Sequence, residues 1–166
     1  MTGEPRWLDA AEQEAWLAFV GVLVRMPSAL DAGTRRATGL SMFEYVTMAM
    51  LSEVPERRLR MSELAAMNRY SLSRLSHVVS RLEERGWLER TPDAEDGRVI
   101  NVRLTDDGWA QVQACAPSHV EVVRQLVIDA LSPEQRAQLA DIGTTLLDRL
   151  DAELGPSPRP TRRPAA

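Results

Sequence analysis

Apolar residues recur at three- and four-residue spacing in most of the chain, and this pattern predicts a mainly helical protein. Trp16, Phe19, Val20, Leu23 and Val24 form the first stripe. Asp9 with Glu12 three residues on reads as a variant capping box at its start. Pro27 predicts a kink or break at residues 25–27, after which the helix resumes to about Arg36. Ser41 with Glu44 is a second capping box, with Leu40 placed to staple onto Tyr45, and the helix it opens stops before Pro55. A polar loop at residues 55–58 leads to a short strand, Leu59-Arg60-Met61, and then to a short helix from Glu63 to Met67 capped by Ser62. Asn68-Arg69-Tyr70 is a turn, and a helix follows from Ser71 to about Arg85. Its apolar stripe is Leu72, Leu75, Val78, Val79 and Leu82, and Gly86 closes it.

The period then changes. Residues 87–91 and 99–104 are strand-like runs on either side of a turn cluster, Pro92 to Gly97, and together they predict a β-hairpin with a charged tip. Thr105 caps a long helix, kinked near Pro117, that carries Val120, Val123, Leu126 and Val127. Ser132-Pro133-Glu134-Gln135 opens a last helix through Leu139, Ile142, Leu146 and Leu150. The tail from Gly155 to Pro164 has four prolines and no apolar side chain to bury, which predicts disorder.

Composition narrows the functional classes. No apolar run approaches the ~18–20 residues of a membrane helix, and the N-terminus lacks a signal pattern, so the expected compartment is the cytoplasm, without membrane contact. The single cysteine, Cys115, and two histidines, His77 and His119, leave no disulfide framework and no metal cluster. No phosphate-binding glycine loop and no nucleophile with a nearby base is visible. The expectation is a non-enzyme without cofactor.

Net charge is -4, but it is unevenly spread. Residues 57–103 hold 10 Arg against 7 acids, and the rest holds 10 Arg against 17 acids. A basic middle suits phosphate binding even when the total is acidic.

Short helix, turn, longer helix and hairpin make a winged helix-turn-helix, within an overall class of mainly α with a small β-hairpin wing. The second helix of such a motif enters the major groove of DNA. Removing its buried stripe leaves Ser71, Ser73, Arg74, Ser76, His77, Ser80 and Arg81 on the outer face. Small hydroxyls let a helix sit deep in the groove, and arginine forks suit guanine or phosphate.

At these residues the sequence resembles the MarR (multiple antibiotic resistance regulator) family of transcription factors. The resemblance is carried by Ser-Arg-Leu-Ser with Val-x-x-Leu-Glu-x-Arg-Gly over residues 73–86, by Asp96-Gly97-Arg98, and by Leu104-Thr105-x-x-Gly108. It implies a homodimer that binds double-stranded DNA at a palindromic operator, a repressor released by a small aromatic or anionic effector. It divides the chain into an N-terminal dimerisation helix (1–36), the winged domain (37–108), C-terminal dimerisation helices (109–154) and a tail (155–166). Dimer contacts fall to residues 16–24 and 120–150, whose apolar faces a thin monomer would not bury. Arg98 takes the minor groove and Asp96 orients neighbouring arginines, while Arg90 and Arg103 on the wing strands can touch phosphate. Trp16, Phe19, Val20, Arg25, Tyr45, Met48 and Trp109 are candidate effector-pocket residues. Relatives that sense peroxide place their cysteine in the first helix, where this chain has none, so Cys115 reads as a buried, inert thiol. The alternative reading is a winged-helix scaffold for protein contacts that binds DNA only weakly.

Overall fold

The computed structural model describes residues 5–68, 70–93 and 96–155. The turn residue Arg69, two residues of the hairpin tip (94 and 95) and the proline-rich tail from residue 156 lie outside the described residues. Helix α1 spans Ala10–Thr38 and α2 Met42–Ser52. A 3-10 turn at Pro55–Arg57 leads to β1 (Arg58–Arg60), then to α3 (Met61–Asn68) and α4 (Leu72–Glu84). The wing is β2 (Leu88–Pro92) with β3 (Ile100–Leu104). Helix α5 (Asp106–Val123) continues through a π-helical segment, Arg124–Ile128, and α6 (Pro133–Leu154) ends the described chain.

Local chemistry sets most of these limits. The capping boxes at Asp9/Glu12, Ser41/Glu44 and Ser132/Gln135 are all formed, each side chain reaching the other residue's backbone N–H. Gly39 and Gly86 follow their helices at φ 74°, the left-handed conformation that glycine adopts without a Cβ clash.

Four expectations are corrected. Helix α1 is not broken at residues 25–27 but runs unbroken through Pro27. Proline there removes one N–H donor, and the Leu23 carbonyl left over lies on an exposed turn where water can serve it. Helix α3 starts at Met61, one residue before the expected cap Ser62, because the Glu63 carboxylate accepts the Arg60 N–H (3.0 Å). Leu72 leaves the buried stripe and is 55% exposed. Finally, α1 is long and apolar enough to cross a membrane by length and composition, with a mean hydropathy of 1.3 in its most apolar window. Short apolar runs broken by Arg25 and Asp31 hide that average.

The sheet is antiparallel in the order β1-β3-β2, with Leu59 opposite Val102 and Arg90 opposite Val102 from the other side. β3 is therefore the central strand. The core gathers Leu40 between α1 and α2, Tyr45, Met48 and Leu51 of α2, Leu64 of α3, Leu75, Val79 and Leu82 of α4, Val102 and Leu104 of β3, and Val112 and Cys115 of α5. Burial of such a set supplies the main drive for folding. In contrast, α6 has no fully buried residue, and it exposes Leu139, Ile142, Leu146, Leu147, Leu150 and Leu154. The first half of α1 likewise exposes Trp16, Leu17, Phe19, Val22, Leu23 and Val24.

Candidate nucleic-acid interface

Helix α4 is held by its inner side and offers the rest to solvent. Ser71 caps it by accepting the Arg74 N–H (3.2 Å), and Leu75, Val78, Val79 and Leu82 point into the core. At 100° per residue, Ser73, His77, Ser80 and Glu84 form the outward crest. Arg74 and Arg81 lie on one flank, toward α1 and α2. Leu72, Ser76 and Glu83 lie on the other, toward the wing.

The first flank borders a groove of about 560 Å³ between α1, α2 and α4. The Arg74 guanidinium sits 4.0 Å from the centre of the Phe43 ring and 5.2 Å from that of Tyr70. The two rings are stacked on each other. Arg81 approaches the buried Glu44 carboxylate at 3.4 Å. Burial alone would raise the Glu44 carboxyl, but the Ser41 hydroxyl and N–H, with Arg81 and Arg85 nearby, outweigh it and hold it below the usual carboxylate range. Across the groove, Arg35 donates to Asp31 (2.8 Å), and that bond, opposed by burial and helped by the Met42 N–H, lowers the Asp31 carboxyl.

The second flank meets the wing. Arg90 on β2 turns inward to Glu83, Ser80 and Ser76. Arg103 on β3 donates to Glu89 (2.7 Å). At the tip, Asp96 accepts the Arg98 N–H (3.0 Å), and its own carbonyl accepts the Val99 N–H (2.8 Å). Asp96 thus shapes the backbone that presents Arg98, whose side chain stands exposed beside Leu72, Ser76 and Arg90.

The structure therefore brings Ser71, Ser73, Arg74, Ser76, His77, Ser80, Arg81, Arg90 and Arg98 onto one side of the molecule, with Asp96 exposed at the wing tip beside Arg98. It ties down Arg90 and Arg103 in ion pairs. Periodicity missed Leu72 because its position repeats the buried stripe, and only the wing's placement shows that it faces out.

The seven expected effector residues do not converge. Tyr45 and Met48 are core, and Trp109 is covered by the Arg57 guanidinium at 4.8 Å. Trp16, Phe19 and Arg25 are exposed and Val20 is half-buried, all on α1 and away from the groove beside α4. The groove beside α4 is lined instead by other residues of α1, by Ser41, Met42 and Phe43 at the start of α2, by Tyr70 and by α4. Cys115 is 5% exposed and accepts from Gln111 Nε2 (3.1 Å). His119 packs on the Tyr45 ring at 4.3 Å, and its buried Nδ1 has no hydrogen-bond partner.

This architecture has known counterparts. The MarR family profile matches residues 38–99. Sco3205 of Streptomyces coelicolor, a MarR family transcriptional regulator solved in complex with DNA, is 40% identical. It superposes with a TM-score of 0.81 over 90% of this chain and 93% of its own. The chain belongs to the MarR family. AbsC, a MarR family transcriptional regulator also from Streptomyces coelicolor, is 33% identical with a TM-score of 0.79, covering 89% of this chain and 99% of AbsC. The transcriptional repressor MprA of Escherichia coli (strain K12) is 28% identical over 116 residues, 70% of this chain. The match spans 65% of MprA, so this MarR family chain covers under two thirds of that relative. The family resemblance read from residues 61–108 holds, and these relatives are transcriptional regulators rather than enzymes.

Proposed function

We propose that the protein is a sequence-specific transcriptional repressor that binds a palindromic DNA operator as a homodimer and works in the cytoplasm. The observation that carries this reading is the shared face of α4 and the wing tip. The α4 crest presents Ser73, His77 and Ser80, with Arg74 and Arg81 at its shoulder, and Arg98 projects beside it. A helix in the major groove and an arginine at an adjacent minor groove need this arrangement. Leu72 joins the set as an exposed apolar side chain suited to a thymine methyl group. Arg103, paired with Glu89, is the weakest member. The DNA complex of Sco3205 and the repressor MprA support the same function.

The homodimer rests on the apolar faces that α1 and α6 expose, and a separate groove lies between α1 and α5. In domain terms, residues 1–36 and 109–154 make the dimerisation part and 37–108 the DNA-reading part. The effector is a small aromatic or anionic molecule, and the groove between α1, α2 and α4 suits it. Phe43 and Tyr70 supply aromatic surface, and Arg74, His77 and Arg81 supply donors. A ligand there touches the recognition helix itself, so it has different affinities for the DNA-bound and released geometries, as any such switch requires.

The test is selection of bound sequences from a random duplex library with the intact protein near physiological salt. A palindrome with half-sites about 10 bp apart is the expected result. Recovery of no motif from a folded, dimeric protein would give the lead to the protein-contact scaffold.

A further inference from the structure

A wing arginine beside a recognition helix invites a phosphate contact, yet Arg90 points away from solvent. Its Nη1 donates to the Glu83 carboxylate and to Ser80 Oγ (3.2 Å). Its Nη2 donates to the Ser76 carbonyl (2.8 Å) and to Ser76 Oγ (3.3 Å). The Arg90 backbone N–H donates to the same Glu83 carboxylate (2.9 Å). The Arg90 and Glu83 side chains are only 25% and 29% exposed.

We propose that Arg90 is a positioning residue: it fastens the wing to the recognition helix and orients the Ser76 and Ser80 hydroxyls as donors toward DNA. This rests on the DNA-binding reading above. A guanidinium has five N–H groups and no acceptor, so each hydroxyl that accepts from it keeps its own O–H to give away. Phosphate oxygens and many base-edge atoms are acceptors, so two serines fixed as donors are matched to them. The planar fork reaches a carboxylate, a carbonyl and two hydroxyls together, which a lysine ammonium on a single stem does not reproduce. Ser76 and Ser80 sit one helical turn apart on α4, and Arg90 spans both from β2. The helix and wing then move as one reading head.

The test compares the intact protein with Glu83→Gln, Arg90→Gln, Arg90→Lys and the double variant Glu83→Gln/Arg90→Gln, on the selected duplex over a salt series. Glu83→Gln removes a negative charge beside the phosphates, so a phosphate-contact role for Arg90 predicts tighter binding. The positioning role predicts the opposite, weaker binding by about tenfold or more, matched by Arg90→Gln and not restored by Arg90→Lys. The double variant is no worse than either single one, as expected for residues in one network. The slope of log affinity against log salt stays unchanged, whereas loss of a phosphate contact lowers it by about one. Ser76→Ala weakens binding in the parent and adds nothing once Arg90 is Gln; an Arg90 that only supported the fold would leave the Ser76 effect intact. Tighter binding by Glu83→Gln, a slope lowered by Arg90→Gln, or an undiminished Ser76 effect overturns the proposal. Amide exchange of residues 88–91 in the free protein separates this from the DNA-binding reading. Faster exchange there in both single variants, with the α2 and α5 core unchanged, supports the fastening even if no duplex is bound, and unchanged exchange sinks it.

Discussion

Glu44 and Arg81 lie 3.4 Å apart across the contact between α2 and α4, and the carboxylate of the pair is the buried one, with Glu44 4% exposed. Glu44 also accepts the Ser41 N–H (2.8 Å) and the Ser41 hydroxyl (2.7 Å), so one side chain caps α2 and meets the recognition helix. Glu44→Ala leaves a buried N–H without its acceptor, which costs ~1–3 kcal/mol. Thermal unfolding is expected to shift down by several degrees. A carboxyl whose folded pKa is lowered adds stability above its unfolded pKa and loses it as pH falls through the folded value. Urea titrations from pH 5 downward should therefore show a shallower acid loss in Glu44→Gln than in the parent.

His119 works in a different window. Burial lowers its pKa, so between the folded value and the ordinary ~6.5 the unfolded chain holds more protons than the folded one. Stability is expected to fall as pH drops below ~6.5 and to level off below the folded pKa. This limb precedes the carboxylate one. His119→Gln should flatten the slope of unfolding free energy in that range, and an unchanged slope would place its cause elsewhere.

Gly108 is a packing glycine rather than a turn glycine. A Cβ there would collide with the Trp87 carbonyl and come within 2.7 Å of Leu104 Cδ1. The backbone atoms involved are already committed, since the Trp87 carbonyl accepts the Thr105 N–H (3.1 Å) and Gly108 donates to Thr105 Oγ1 (3.0 Å). Gly108→Ala is expected to cost at least the ~1–3 kcal/mol typical of overpacking. The denaturation midpoint should drop accordingly, while Gly97→Ala, with open space around it, should be nearly neutral.

Arg98 and Arg74 should fail differently in DNA binding. Arg98→Ala removes an exposed charge from the wing tip, so affinity drops for all sequences and the salt slope falls. Equal affinity of parent and variant at ~0.15 M salt, where the screening length is ~8 Å, would remove Arg98 from the interface. Arg74→Ala should relax base preference at a cost of ~1–3 kcal/mol if the arginine leaves its aromatic seat to read a base. A uniform loss across sequences makes it a phosphate contact instead, and the Phe43→Leu variant should then share little of the effect.

The exposed apolar face of α6 gives the last expectation. Leu146→Glu with Leu150→Glu should convert a dimer to a monomer in sedimentation velocity, while the helical signal changes little. A dimer that survives both changes would move the interface away from α6.

The features legible in the sequence were those settled by neighbours within four residues. Each capping box was readable from a pair such as Ser41 and Glu44, and the α4 stripe from Leu75 to Leu82 followed from period alone. Much of the rest depends on distant parts of the chain. Leu72 shares the buried phase, yet it stands 55% exposed on the flank of α4 that faces the wing. The groove beside α4 needs Asp31 and Arg35 brought to Phe43 and Tyr70, and no spacing announces that meeting. Arg90 looked like any basic wing residue, because its partner Glu83 is seven positions away and becomes a neighbour only when the hairpin folds back. The start of α3 moved by one residue for a smaller reason: Glu63 outcompeted Ser62 as the group that serves the first free N–H.

The pairing of β3 with both β1 and β2 has an evolutionary consequence. The segment from α3 to the end of α4 is a cassette whose two ends, Arg60 and Leu88, are pinned to the same strand. Its outer crest contributes nothing to the core. Residues such as Ser73 and His77 can therefore change without cost to the frame, so under the proposed DNA-reading role a lineage would acquire new target genes by rewriting a few crest positions.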